Sequence, residues 1–305
     1  MYANPAEWKH FSSGSHKAEG RLLHSPKPSG DLIIYAPGYS GIGAKLFEDR
    51  FSDLLLEEEY SQIILRHNGT LLNAKDSDSL LNREKFPKAV PFHDGDYIGG
   101  APSRLAERFI APKTVIEAIG ANYTNITLVG HSLGVVAVLH SLALLKEECN
   151  PLFERVRACV CMAPAVGVLK EHDDDIMDTL WNDAFLKFSS EEGIIAMGSP
   201  EDMKADLLAV YQNLPERVAN NLQAISKIFV HVERDEFLRY EDIDEFVKAC
   251  GQNCRFITDR FDRHDPRLPY AAHDMPNYPK QSMLDVIEGR LDPIDTITHS
   301  DGFIE

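Results

Sequence analysis

The sequence has few of the features that mark small secreted proteins or membrane proteins. Its 305 residues include only five cysteines, an odd number, and their C-x-C and C-x3-C spacings lack the second pair that a zinc site needs. No apolar run in the sequence approaches the roughly 18 residues that a membrane-spanning helix requires. The first residues show neither a basic segment nor an apolar core, so we expect no signal peptide and a reducing, cytoplasmic location.

Positive charge is also scarce. Lys and Arg total 31 against 48 Asp and Glu, which gives a net charge of −17 at pH 7. A surface of this sign repels phosphate backbones and anionic lipid headgroups, so we expect neither nucleic acid nor membranes as partners. Hydrophobic residues make up 44% of the chain, which is enough for a sizeable core in one large domain or two modest ones.

Strand and helix patterns alternate along the chain, which predicts an α/β fold with a mostly parallel central sheet covered by helices. The predicted strands are 19–24 at the sheet edge, 31–36, 62–66, 125–129, 158–163, 227–232 and, as the last strand, 255–258. The predicted helices cover 44–58, 103–119, 242–250 and 282–291, together with one that begins after residue 132.

Two stretches interrupt the alternation. Residues 67–102 are polar and show little periodicity, and so long an excursion in a compact domain is usually functional or mobile. Residues 166–226 have a helical pattern, and we predict that they form a cap or lid inserted over the sheet edge. The core then consists of 1–165 and 227–305.

The most informative motif is Gly130-His131-Ser132-Leu133-Gly134, which is G-x-S-x-G between a predicted strand and a predicted helix. In that setting the serine occupies a tight, strained turn that points its hydroxyl into open space, and glycine tolerates the close approach of its neighbours. The helix that begins there also directs free backbone N–H groups at the same place. Ser132 is therefore the candidate nucleophile.

A serine hydroxyl needs a base, and the base needs a carboxylate that orients it. Asp235 follows a predicted strand at the edge where the ligands of such sheets gather, with Glu233 and Glu236 as competing carboxylates. His273 and His264 both follow the last predicted strand. We favour His273 as the base because small residues precede it and prolines follow it, and His264 is the second choice.

Other positions have supporting roles. The backbone N–H groups of Leu133 and Tyr39 are expected to form an oxyanion hole, the second of them from the loop that follows strand 31–36. His131 is a poor candidate for the base, because adjacent side chains at such a turn point apart. The candidate substrate-binding residues are Gly38, His131, His93 and His67.

The motif around Ser132, followed by Asp235 and then a histidine, resembles the α/β-hydrolase superfamily in the chain order serine, acid, histidine. The resemblance covers roughly residues 19–291, and Pro37-Gly38 stands where the family more often has His-Gly. It implies a serine hydrolase that cleaves a carboxylic ester or a thioester through an acyl-enzyme intermediate. It also implies a small-molecule acyl substrate held in a pocket under the helical cap, with no cofactor and no metal.

Three alternatives stay open. The same scaffold could serve an acyltransferase, a lyase or a cyclase, or it could be a non-catalytic ligand-binding module. A metal hydrolase is the third, because the chain after the last predicted strand is rich in possible ligands, although it lacks a fixed metal-binding spacing. These possible ligands are Asp259, Asp262, His264, Asp265, His273 and Asp274.

Overall fold

The computed structural model describes residues 7–27, 29–39, 41, 43–67, 104–166, 200–232, 235, 238–260, 273, 280–290 and 297–298. Within these ranges the strands form one sheet in the order β1-β2-β4-β3-β5-β6-β7-β8-β9. From β4 across to β9 neighbouring strands are parallel, whereas β1 and β2, and β2 and β4, pair antiparallel. The strands are β1 (Glu7–Ser13), β2 (His16–Leu23), β3 (Asp31–Ala36), β4 (Ser61–Arg66), β5 (Asn125–His131), β6 (Val156–Met162), β7 (Ser226–Val232), β8 (Cys254–Arg260) and β9 (Ile297–Thr298).

Helices cover both faces of this sheet. They are α1 (Gly43–Glu57), α2 (Leu105–Ile119), α3 (Leu133–Glu147), α4 (Pro200–Tyr211), α5 (Leu214–Asn221), α6 (Tyr240–Ala249) and α7 (Lys280–Ile287). Buried side chains of α1 and α7 belong to the core on one face, and those of α2 to α6 belong to the core on the other. The fold is thus the mostly parallel, helix-flanked sheet that the sequence predicts.

Strand β3 illustrates why the sequence folds this way. Leu32, Ile34 and Ala36 pack into the core on the α2–α6 face, whereas Ile33 and Tyr35 pack into the core on the α1–α7 face. All five are at most 1% exposed. A parallel strand buried on both faces reads as a continuous apolar run, and such runs are what made the central strands visible in the sequence.

Two sequence expectations about the sheet edges are wrong. The segment 19–24 was expected at the edge, but β1 pairs outside it, and the residues of β1 are mostly exposed or half-buried. Residues 255–258 were expected to be the last strand, but the two-residue β9 pairs with β8 after them. Both missed strands lack a long apolar stretch, because an edge strand buries little of its surface.

Part of the predicted cap is described. Helices α4 and α5 lie within 166–226, and both contribute to the helical layer that also contains α2 and α3. Leu214 and Val218 of α5 are fully buried there, and Arg217 binds Glu147 of α3. Residues 167–199 lie outside the described residues, so the division between core and cap stays a prediction.

The five cysteines are all free thiols. No helix in the described ranges is both long enough and apolar enough to cross a membrane.

Candidate active site

Ser132 lies in a strained turn between β5 and α3. Its φ and ψ are 53° and −121°, a conformation that L-residues rarely adopt and that costs on the order of 1–3 kcal/mol. The backbone is held there from both sides: the Ser132 N–H donates to the Met162 carbonyl at 2.9 Å, and the Ser132 carbonyl accepts from Val135 N–H at 3.1 Å. Ser132 is partly exposed, whereas its neighbours His131 and Leu133 are buried.

The two glycines of the motif permit this turn. A Cβ on Gly130 would lie 2.7 Å from the Gly134 carbonyl oxygen. A Cβ on Gly134 would overlap the backbone carbonyl of Ala36 and lie 2.6 Å from that of Pro37. Only a residue without Cβ fits at either position, which is the steric reason for the G-x-S-x-G spacing.

An acid and a base meet beside this turn. Asp235 lies just beyond β7, at the carboxyl end of the parallel strands, and its side chain is completely buried. Its Oδ2 is 2.7 Å from Nδ1 of His273, while its Oδ1 accepts a 3.0 Å hydrogen bond from the Leu238 N–H. The His273 side chain is 13% exposed. The structure therefore brings together the carboxylate and the favoured histidine of the sequence analysis.

His131 connects the nucleophile turn to the segment that carries His273. Its Nε2 is 2.7 Å from the main-chain carbonyl oxygen of His273, and the two imidazole rings are 5.0 Å apart. Burial lowers the pKa of His131 to about 3, so the ring is neutral at pH 7. Because a carbonyl oxygen can only accept, Nε2 carries the proton. We expected this ring to bind substrate, but it is 5% exposed and contacts the backbone of His273 instead.

The expected oxyanion donors lie on both sides of Ser132. Leu133 is the first residue of α3, where an amide has no acceptor within its own helix. Gly38 lies directly against the nucleophile, since a Cβ placed on it would be 3.1 Å from the Ser132 Cβ. Its carbonyl accepts from Gly41 N–H at 3.0 Å, which closes a turn around Tyr39. The loop after β3, which carries Tyr39, therefore lies against the serine turn at Gly38.

Two buried side chains contact backbone carbonyls of that loop. The Nε2 of His67 is 2.9 Å from the Pro37 carbonyl oxygen, and burial lowers the pKa of His67 to about 3. The Nη1 of Arg108 donates to the Tyr39 carbonyl oxygen at 2.8 Å. We expected His67 to contact substrate, but its ring contacts the backbone of this loop.

Arg108 was missed in the sequence. Its spacing along the sequence could have indicated its burial. Arg108 follows Leu105 by three residues and precedes Pro112 by four, so it lies on the face of α2 that packs against the core.

Four further candidates of the sequence analysis are not described by the structure. His93, His264, Glu233 and Glu236 lie outside the described residues. Among the residues that the structure describes, no group of three or more His, Cys, Asp and Glu side chains is arranged to hold a metal ion. The ligand-rich stretch 261–272 lies outside those residues.

Comparison with known proteins identifies the architecture. No sequence-family model and no curated protein matches the chain. Solved structures match over almost the whole chain. An esterase of Pyrococcus furiosus gives a TM-score of 0.55 at 13% identity, covering 93% of this chain and 90% of its own. A carboxylesterase of Bacillus subtilis gives a TM-score of 0.53 at 13% identity, and the match covers 94% of this chain and 93% of the esterase. A soluble variant of the monoglyceride lipase of Saccharomyces cerevisiae gives a TM-score of 0.58 at 11% identity, and the match covers 94% of this chain and 96% of the lipase. The chain has the α/β-hydrolase fold, as the sequence motifs predict.

The contact between Gly38 and Ser132 gives a first testable prediction. In Gly38→Ala the added methyl group must push either the loop or the serine away, and we expect kcat on an activated ester to fall about 10- to 100-fold with little change in thermal stability. The control is Gly14→Ala, where a Cβ meets nothing within 4 Å but φ is +58°. That variant should lose about 1 kcal/mol of stability and no activity. Equal activity of the two variants would contradict the assignment of this loop.

Proposed function

We propose that the protein is a serine hydrolase that cleaves a carboxylic ester or a thioester through an acyl-enzyme intermediate. The observation that carries this proposal is a serine in a strained strand-to-helix turn, linked through His131 to a hydrogen-bonded pair of the buried Asp235 and the part-buried His273. Since one fold hosts many chemistries, these residues and not the fold support the proposed activity. The printed names of the fold neighbours, an esterase, a carboxylesterase and a monoglyceride lipase, give additional support.

The first half of the reaction acylates the serine. The Nδ1 of His273 is engaged by Asp235, so Nε2 is the nitrogen that accepts the proton of the Ser132 hydroxyl. The Ser132 Oγ forms a bond to the acyl carbon, and the carbonyl π electrons move to its oxygen. The backbone N–H groups of Leu133 and Tyr39 stabilise that oxyanion. When the carbonyl re-forms, the bond to the alcohol or thiol breaks and His273 gives its proton to the leaving group.

The second half releases the acid. His273 takes a proton from water, the resulting hydroxide oxygen attacks the acyl carbon, and the bond to Oγ breaks as Ser132 recovers its proton. Asp235 holds the imidazole in the tautomer with the proton on Nδ1 and stabilises the imidazolium that forms in each half. Its complete burial strengthens that interaction, because the local dielectric is low.

The sequence expectations about substrate and location become part of this proposal. A small-molecule acyl compound is the proposed partner, and the predicted cap, residues 166–226, supplies the apolar pocket for its acyl chain. Helix α4, which lies in that range, reaches the oxyanion loop, since the Tyr39 hydroxyl is 4.0 Å from the Met203 sulfur. A cytoplasmic location agrees with the free thiols.

Turnover of p-nitrophenyl acetate tests the proposal. We expect steady turnover by the wild type, its loss in Ser132→Ala, and full activity in Ser12→Ala, which changes an exposed serine of β1. A burst of one equivalent without turnover would indicate acyl transfer instead of hydrolysis. Inactivation by a chelator would indicate a metal hydrolase. Neither burst nor turnover, in a folded protein, would indicate a binding module.

A further inference from the structure

Arg108 is a buried cation next to the proposed oxyanion hole. It is 3% exposed, its Nη1 is 2.8 Å from the Tyr39 carbonyl oxygen, and its guanidinium carbon is 5.7 Å from the centre of the Tyr39 ring. Burying a guanidinium costs free energy, and burial lowers the pKa of Arg108 to about 10, so the group is still charged at pH 7. A costly buried charge that is bonded to a loop of the site calls for a functional explanation.

The hydrogen bond acts on the backbone that carries the oxyanion donor. A peptide unit is planar, so the direction of the Tyr39 N–H is fixed by the carbonyl of Gly38 in the same unit. That carbonyl is held by the Gly41 N–H at 3.0 Å. The next peptide unit begins with the Tyr39 carbonyl, which Arg108 holds. Both peptide units on either side of Tyr39 are therefore restrained, in a loop that lies against Ser132.

Arg108 is itself held in place through its own helix. One turn earlier, Arg104 forms a bidentate ion pair with Asp206 of α4, with distances of 3.2 and 2.6 Å. The same carboxylate accepts from the Ala106 N–H at 3.2 Å, so Asp206 also serves a free amide in the first turn of α2. Helix α4 thus fixes the start of α2, and α2 places Arg108 against the loop.

We propose that Arg108 is a positioning residue for the oxyanion hole and that it orients the Tyr39 amide through its hydrogen bond to the Tyr39 carbonyl. The inference rests on the proposed function, because it assumes that this amide stabilises the oxyanion. Arg108 acts on the reaction indirectly, through its hydrogen bond to the loop that carries Tyr39. Its loss therefore weakens stabilisation of the transition state more than binding of the substrate.

Two substitutions test the inference. Arg108→Met keeps the length of the side chain and removes the donor, and we expect kcat to fall about 10- to 100-fold with less than about a threefold change in KM. Arg108→Lys retains a cationic donor and should recover most of kcat. The inhibition constant of an alkyl trifluoromethyl ketone, whose adduct places an oxyanion in the same hole, should rise by the factor by which kcat/KM falls.

Arg217→Met is the matched control. Arg217 also makes several polar contacts, to Glu147 at 2.8 Å and to Nδ1 of His140 at 2.8 Å. It joins α5 to α3 at His140 and Glu147, which lie about 12 Å and about 22 Å along that helix from Ser132. The substitution Arg217→Met should lower the melting temperature and leave both kcat and the inhibition constant of the ketone unchanged.

The outcomes separate the inference from the function on which it rests. If the wild type neither turns over esters nor binds the ketone, the proposed function fails. Two results with an active wild type would overturn the positioning role. In the first, Arg108→Met keeps kcat within about twofold of the wild type. In the second, its losses of kcat and of ketone affinity are no larger than those of Arg217→Met. If Arg108→Met does not fold, the Arg108→Lys protein decides: ketone affinity and kcat must change together, and unequal changes overturn the inference.

Discussion

The substitution His273→Ala is expected to lower kcat/KM by at least about 10³-fold, because it removes the imidazole proposed to take the proton from Ser132 during attack. The loss should reflect chemistry and not folding. His131 bonds to the main-chain carbonyl of residue 273, and that contact survives the removal of the imidazole. The comparison of kcat/KM on p-nitrophenyl acetate, together with the melting temperature of each variant, measures this effect.

His264→Ala is the control for this prediction. It removes the second candidate for the base, and we expect it to keep activity within about tenfold of the wild type. The reverse ranking of the two variants would show that the base is His264, and the Asp235–His273 contact would then be only a structural pair.

The substitution Asp235→Asn is expected to lower kcat by about 10³- to 10⁴-fold with almost no change in shape. Oδ1 accepts from the Leu238 N–H at 3.0 Å, so the new amide must direct its oxygen there and its NH₂ group at His273. Two donors would then oppose each other unless the imidazole moves its proton from Nδ1 to Nε2. An Nε2 that carries a proton cannot accept one from Ser132.

Glu233→Gln and Glu236→Gln are matched controls for Asp235→Asn, since each removes one negative charge from the same segment. Both should retain activity within about threefold, because the side chain bonded to His273 is that of Asp235. If Asp235→Asn stays within tenfold of the wild type, or if Glu236→Gln loses more, the acid is assigned to the wrong carboxylate.

The central part of the fold could be predicted because its strands are apolar on both faces. The strand β3 was predicted with its observed bounds, Asp31–Ala36, and the strand before Ser132 with its observed start. The outer strands β1 and β9 were not predicted, since an edge strand needs neither a buried face nor a long run. In the same way, the helical pattern of residues 166–226 indicated helices there without their bounds, and it does not distinguish a cap from the helical layer against which α4 and α5 pack.

The sequence also indicated most of the site, because strained turns and strand ends have local signatures. The G-x-S-x-G turn and Asp235 both depend on their positions at strand ends, which the chain order reveals. The contacts of Arg108, His67 and His131 do not follow from the sequence. Each joins segments that are far apart in the chain, through a side chain whose partner is a backbone carbonyl with no sequence signal.

The account depends most on Ser132 as an activated nucleophile, and covalent labelling tests that claim most directly. The folded wild type should react with a fluorophosphonate probe, and peptide mass spectrometry should find one adduct, on Ser132. Denatured wild type and Ser132→Ala should not react, and His273→Ala should react much more slowly. A folded wild type that carries no adduct, or that carries it on another residue, would contradict the account.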